Sequence, residues 1–203
     1  MSLQSRVVEQ FHHPRGLLGR LAGAVMAHRA SNLERNRRTV ELLDVRPGHR
    51  VLELGPGPGV TLGLLLERVG HGHVTAVDHS ELMLEQCRRR HERAIREGRL
   101  DLIRAEFPGV PEDARFDRIL AVNSLQFDAM TEPVMRTLAA ILEPGGRIAI
   151  TFQPRGPGAS ERNAEAFGQR AVRLLEGAGF TAVRVETLPL APVPAVCVLG
   201  ERA

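Results

Sequence analysis

Three glycines separated by single residues stand between an apolar run and a helical pattern in Val51-Leu52-Glu53-Leu54-Gly55-Pro56-Gly57-Pro58-Gly59-Val60. Glycine at Gly55, Gly57 and Gly59 lets a ligand approach the backbone, and the helix start that follows offers free amides and partial positive charge to a carboxylate. Asp78 lies 19 residues beyond Gly59, at the end of the next apolar run, where its carboxylate can accept both hydroxyls of a ribose. The dinucleotide pattern G-x-G-x-x-G fails, because its sixth position is Val60 counted from Gly55 and Leu62 counted from Gly57. A phosphate-cradling P-loop fails as well, since no Gly-Lys-Ser/Thr follows. The loop therefore reads as a site for a nucleoside with no required pyrophosphate.

Short apolar runs alternating with helical patterns must position these residues, which implies a parallel sheet with helices on both faces. Strands are expected at Arg50–Leu54, His73–Val77, Leu100–Arg104, Phe116–Val122, Arg147–Phe152, Thr181–Thr187 and Ala195–Gly200. The last two suggest an antiparallel, hairpin-like ending. Between them, helices are expected over Val60–Val69, from a Ser80 cap to Glu97, over Glu132–Leu142 and over Glu161–Ala178, each closed by a Gly or a Pro-Gly turn. Residues 17–44 read as two helices, the first with Leu17, Leu21, Val25 and Met26 on one side, the second capped by Ser31 or Asn32.

Composition narrows the function classes. With 203 residues, 43% hydrophobic and 25% charged, the chain has the size and make-up of one globular domain. It has seven Phe but no Trp or Tyr, which argues against a stacking platform for single-stranded nucleic acid. Cys87 and Cys197 are too far apart in sequence to suggest a disulfide framework or a zinc site, and His71, His73 and His79 do not make a metal-ligand spacing; no metal is expected. No apolar run reaches the ~18 residues of a membrane span, so a cytoplasmic location without stable membrane insertion is expected. Net charge is only +3, yet the stretch from His12 to Arg38 is basic, with Glu34 its one acid. That stretch either attracts an acidic substrate, a phosphate or an anionic membrane, or is a solvated helix face. The Arg88-Arg89-Arg90 run reads as a solvated face.

From about Arg50 to Ile150 the sequence resembles the class I S-adenosylmethionine-dependent methyltransferases. Glu53, Gly55, Gly57 and Gly59 match the family's E-x-G-x-G-x-G loop, and Asp78 matches its ribose-binding acid. Arg104-Ala105-Glu106-Phe107 stands where the family places a polar residue near the adenine amino group, with Glu106 in place of the usual Asp. Phe116 to Phe127 looks like the fourth strand and the loop facing the acceptor, and Leu142-Glu143-Pro144-Gly145-Gly146 like the turn before strand five. The resemblance implies a doubly wound, mostly parallel seven-stranded sheet whose last strand is antiparallel, formed by a single domain over residues 1–203 with residues 1–45 as an N-terminal helical lid. It implies S-adenosylmethionine as methyl donor and S-adenosylhomocysteine as product, held by Glu53, Gly55, Pro56, Gly57, Gly59, Asp78, His79, Met83, Ala105, Glu106, Phe107 and Asn123.

The expected reaction is in-line displacement of the methyl group onto an O, N or C nucleophile of a small molecule, carried mainly by proximity and desolvation. A base is needed only where the acceptor must lose a proton. His12 and His13, in the segment the family often folds over its site, are either that base or surface residues, and Asn123 either orients the acceptor or ends its strand. Nucleic acid is not expected as the acceptor, because the Asp/Asn-Pro-Pro-aromatic loop of nucleic-acid amino methylases is replaced by Asn123-Ser124-Leu125-Gln126. Two alternatives stand beside the small-molecule enzyme. One is a lipid or quinone methyltransferase at a membrane surface; the other binds the donor without transferring its methyl group. Monomer and homodimer are equally compatible with the sequence.

Overall fold

The computed structural model describes residues 30–126 and 129–203. Seven strands form one sheet: β1 (Arg50–Leu54), β2 (His73–Asp78), β3 (Leu100–Arg104), β4 (Phe116–Val122), β5 (Leu142–Phe152), β6 (Phe180–Leu188) and β7 (Ala195–Arg202). Their order is β3-β2-β1-β4-β5-β7-β6. The first five pair in parallel, whereas β7 runs antiparallel between β5 and β6. This is the doubly wound sheet with an antiparallel last strand that the apolar runs suggested.

Central strands of such a sheet are buried on both faces, so they read as continuous apolar runs. Val51, Leu52 and Leu54 of β1 and Ile119 and Leu120 of β4 are fully buried. The chain order reverses direction at β1, with β2 on one side and β4 on the other. Loops after these parallel strands all leave from one edge, and the switch point opens a crevice there.

Helix α1 (Ala30–Leu42) and helix α2 (Val60–Val69) precede and follow β1. The buried residues of the α1 segment are Asn32, Arg35, Asn36, Thr39, Val40 and Leu43, spaced three and four apart as one helical face requires. Its C-terminal half is apolar and its N-terminal half polar. The Thr39 hydroxyl meets that of Thr151 on β5 at 2.8 Å, and Arg118 of β4 donates to the Leu43 carbonyl at 3.0 Å, satisfying an acceptor that the helix end leaves open. Residues 30–45 of the expected lid thus lie on the sheet, and residues 1–29, with Leu17 and its apolar partners, fall outside the described residues.

Three boundaries differ from expectation. Ser31 and Asn32 lie inside α1, whose described residues begin at Ala30. The helix expected from Ser80 to Glu97 is two: α3 (Glu81–Arg90), capped by Ser80 as expected, and α4 (Glu92–Arg96), separated by His91 at φ −119°. Leaving helical geometry lets the His91 ring reach back to the Gly59 carbonyl at 2.6 Å. Finally, β5 begins at Leu142 rather than Arg147, because Leu142 already pairs with Phe116 before a register shift that absorbs the Pro-Gly-Gly turn. The remaining helices, α5 (Glu132–Ile141) and α6 (Glu161–Gly177), follow the expected spans closely.

The hydroxyl pair between α1 and β5 gives a direct test of how α1 is held. Thr39→Val leaves the buried Thr151 hydroxyl short of a partner and is expected to cost about 1–2 kcal/mol in urea unfolding, whereas adding Thr151→Val recovers part of that loss. Additive losses in the double variant would contradict a hydroxyl pair.

Candidate functional site

The carboxyl ends of β1, β2, β3, β4 and β5 bring Gly55, Asp78, Ala105, Asn123 and Gln153 to one edge of the sheet. Gly55, Gly57 and Gly59 all have positive φ, at 69°, 53° and 77°, in the left-handed region that L side chains avoid. Their surroundings differ. A Cβ on Gly55 would fall 2.3 Å from Ser124 Cβ and 3.2 Å from the Phe107 ring tip, and one on Gly59 would fall 2.9 Å from Cys87 Sγ. A Cβ on Gly57 would meet nothing within 4 Å. The first and third glycines are thus required by the protein's own packing, whereas the second faces open space.

Asp78 ties this loop to the next strand end. One of its oxygens accepts the Gly57 N–H at 3.3 Å and the other the Ser80 N–H at 2.9 Å. From behind, Cys87 Sγ donates to the Gly57 carbonyl at 3.1 Å and His91 contacts the Gly59 carbonyl. Burial pushes the Asp78 carboxyl above its usual range, opposed by the two amides and by His79, whose Nδ1 lies 3.7 Å away. Burial likewise raises the Cys87 thiol to well above neutrality and lowers His91. Both therefore hold the loop in their uncharged forms.

Glu53 is 1% exposed on β1 beneath the glycine loop. Burial raises its carboxyl to about 8, with Thr61 hydrogen bonding opposing the shift and the Asp78 charge adding to it. Its Oε2 is buried with no partner. A buried carboxyl oxygen without a partner is costly, and a primary ammonium at this place would partner it and favour its carboxylate form.

The other expected donor-site residues surround the same crevice. Pro56 lies in the loop, and Met83 is buried on α3 one turn past Asp78. Ala105 donates its N–H to the Asp78 carbonyl at 3.2 Å, Glu106 is exposed and its charge reaches Asp78, and Phe107 sits against Gly55. Asn123 has φ 56°, and its side chain donates to the Gln153 carbonyl at 2.9 Å and accepts the Gln153 N–H at 2.8 Å. Its amide fastens β4 to β5. His12 and His13 lie outside the described residues.

A polar cluster that the sequence did not announce lies beyond Asn123. Gln153 is fully buried; its Oε1 accepts from Arg35 at 3.3 Å and from Arg155 at 2.5 Å, and its Nε2 donates to the carbonyls of Ala191 and Val193. Both guanidinium groups also reach Asn32 Oδ1, at 3.2 and 2.8 Å. Arg35 is 7% exposed, and burial, together with the charge of Arg155, lowers its guanidinium to about 9. The available signal was the phase of Asn32, Arg35 and Asn36 with Val40 and Leu43 on one helical face. By contrast Arg37 pairs with Glu34 at 2.6 Å, and Arg88 with Glu81 at 2.7 Å, on exposed surfaces. Among the described residues no group of three or more His, Cys, Asp or Glu could hold a metal ion, and no helix is long and apolar enough to cross a membrane.

Residues 51–146 match the family pattern of a methyltransferase domain. The chain is 30% identical over 183 residues to the uncharacterized methyltransferase YdaC of Bacillus subtilis (strain 168), covering 90% of this chain and 98% of that protein. It is 36% identical over 117 residues to the aklanonic acid methyltransferase DauC of Streptomyces sp. (strain C5), covering 57% of this chain and 53% of that one, so the chain spans about half the length of that relative. A methyltransferase from Aquifex aeolicus shares the fold, with TM-score 0.64 and 21% identity over 86% of this chain and 94% of that structure. Together with the glycine loop, the Asp78 strand end and the sheet order, these similarities place the chain in the class I S-adenosylmethionine-dependent methyltransferase family.

Proposed function

We propose that this protein binds S-adenosylmethionine across the carboxyl ends of β1 and β2 and transfers its methyl group to a small organic acceptor seated over β4 and β5. The observation that carries the reading is the buried Glu53 oxygen without a donor, below a glycine whose missing side chain leaves open space. The donor's ammonium would meet Glu53, its ribose would meet Asp78 beside Gly57, and its adenine would lie by Ala105, Glu106 and Phe107. When bound, the sulfonium supplies an activated methyl group. The protein's part is to orient, to exclude water and to hold the acceptor in line. Two features support a small acceptor: DauC is named for aklanonic acid, and the loop after β4 lacks the residues by which amino-methylating nucleic-acid enzymes clamp a base.

Two groups of variants test the donor site. In titration calorimetry with S-adenosylmethionine, S-adenosylhomocysteine and NAD as control, both sulfur nucleosides bind and NAD does not. Asp78→Ala weakens donor binding at least about tenfold, the ~1.4 kcal/mol expected for losing hydrogen bonds to a charged acceptor. Gly57→Ala folds with a backbone penalty of about 1–2 kcal/mol yet loses binding, because the added methyl group occupies the ligand's space. Normal affinity in both variants would sink the assignment.

The proton on Glu53 predicts a pH dependence. Its folded-state value is raised to about 8 from an ordinary 4.5, so its contribution to stability is complete below about pH 4.5 and is lost as pH rises toward 8. Glu53→Gln, which cannot ionise, flattens that decline by up to about 1.4 kcal/mol per pH unit. Unfolding curves of both proteins with identical slopes from pH 5 to 8 would show that Glu53 is not buried as described.

A further inference from the structure

We infer that Glu53 gives up a proton to solvent when the methyl donor binds, its carboxylate then pairing with the ammonium of the donor's amino acid. The inference rests on the methyltransferase reading and adds a proton to the stoichiometry of that site. Glu53 is 1% exposed on β1, with Ala76 of β2 and Leu120 of β4 as its neighbours in the strand register. Thr61 of α2 hydrogen-bonds its carboxyl. The titratable groups that act with it are the Asp78 carboxyl at the end of β2 and the Cys87 thiol on α3, and neither is a cation. Its Oε2 has no hydrogen-bond partner. A carboxylate in that setting lacks both a counter-charge and a full set of donors, which favours the neutral acid. Burial accordingly raises the carboxyl to about 8, so the free protein carries the proton at neutral pH.

A cation entering the crevice reverses that balance. Space exists along the glycine loop, where a Cβ on Gly57 would meet nothing within 4 Å. The Gly57 N–H is held by Asp78, the same carboxyl whose charge helps to raise Glu53. An ammonium beside Oε2 supplies the missing donor and a counter-charge together, and each favours the ionised form. Below the Glu53 value the separate carboxyl and ammonium hold two titratable protons, whereas the bound ion pair holds one, and the other passes to the buffer. By linkage, affinity for the donor rises about tenfold per pH unit while free Glu53 is protonated, and levels off as pH approaches 8. A nucleoside without the amino acid draws no such proton. Asp78, also raised by burial, faces the ribose of either ligand, so a comparison of the two removes its share.

The experiment is titration calorimetry of the full-length protein at about pH 6.5, below the Glu53 value, in phosphate and in imidazole, whose different ionisation enthalpies reveal the protons exchanged. S-adenosylhomocysteine carries the amino acid without the sulfonium charge, and methylthioadenosine carries adenine and ribose without the amino acid. Wild-type protein releases about one proton more with the first than with the second, a comparison that needs no variant. Glu53→Gln removes that difference and the rise of S-adenosylhomocysteine affinity with pH. Infrared spectra of the free protein give an independent reading, a carboxylic acid band that wild type shows and Glu53→Gln lacks. Equal proton counts for the two ligands on wild type, equal counts in wild type and Glu53→Gln, or identical infrared spectra overturn the inference and leave the donor site standing. Silence of wild type toward both nucleosides strikes the methyltransferase reading, and the inference falls with it.

Discussion

The open crevice at the sheet edge depends on one carboxylate. Asp78 accepts the Gly57 N–H with one oxygen and the Ser80 N–H with the other, so it joins the loop after β1 to the turn that starts α3. Without that bridge the glycine loop, with three residues in left-handed geometry, would have few reasons to keep one conformation. The bridge uses one lone pair on each oxygen and leaves others for a ligand. The same group thereby shapes the loop and offers its remaining acceptors to a ligand, which explains why it is buried at some electrostatic cost.

Support from behind is equally specific. Cys87 and His91 each take a loop carbonyl, at Gly57 and Gly59, and both are kept neutral by burial. The price of the His91 contact is the break between α3 and α4. A continuous helix would carry the ring elsewhere, and Gly59 would lose a neighbour that, with Cys87, crowds the space a side chain would need. Local helix propensity yields here to a contact between segments 32 residues apart in sequence.

This explains which parts were legible in the sequence. Buried parallel strands write themselves as apolar runs, and positive φ writes itself as glycine, so the strand spans, Gly55–Gly59 and Asp78 could be found by pattern. The break at His91 could not, because it answers to Gly59 and not to its own neighbours. The bulge that starts β5 at Leu142 was hidden beneath a Pro-Gly-Gly signal that reads as a turn. Arg35 was obscured by company: it stands among Arg37, Arg38 and Glu34, whose charges are exposed, and only the 3.6-residue phase separates the buried arginine from the solvated ones. Asn123 stands at a strand end by type and place, but that its amide would bridge to Gln153 was not legible, because that contact spans 30 residues.

The edge is electrically polarised along the strand order. Asp78 and Glu106 lie on the β2–β3 side, with the buried Glu53 carboxyl beside them on β1, and Arg35 and Arg155 lie on the β5 side. A cationic ligand suits the first side and would avoid the second. Methyl transfer removes the sulfonium charge, and with it part of the attraction that holds the spent donor against the acidic side. A site of this form loosens its hold on the nucleoside product once the methyl group has moved.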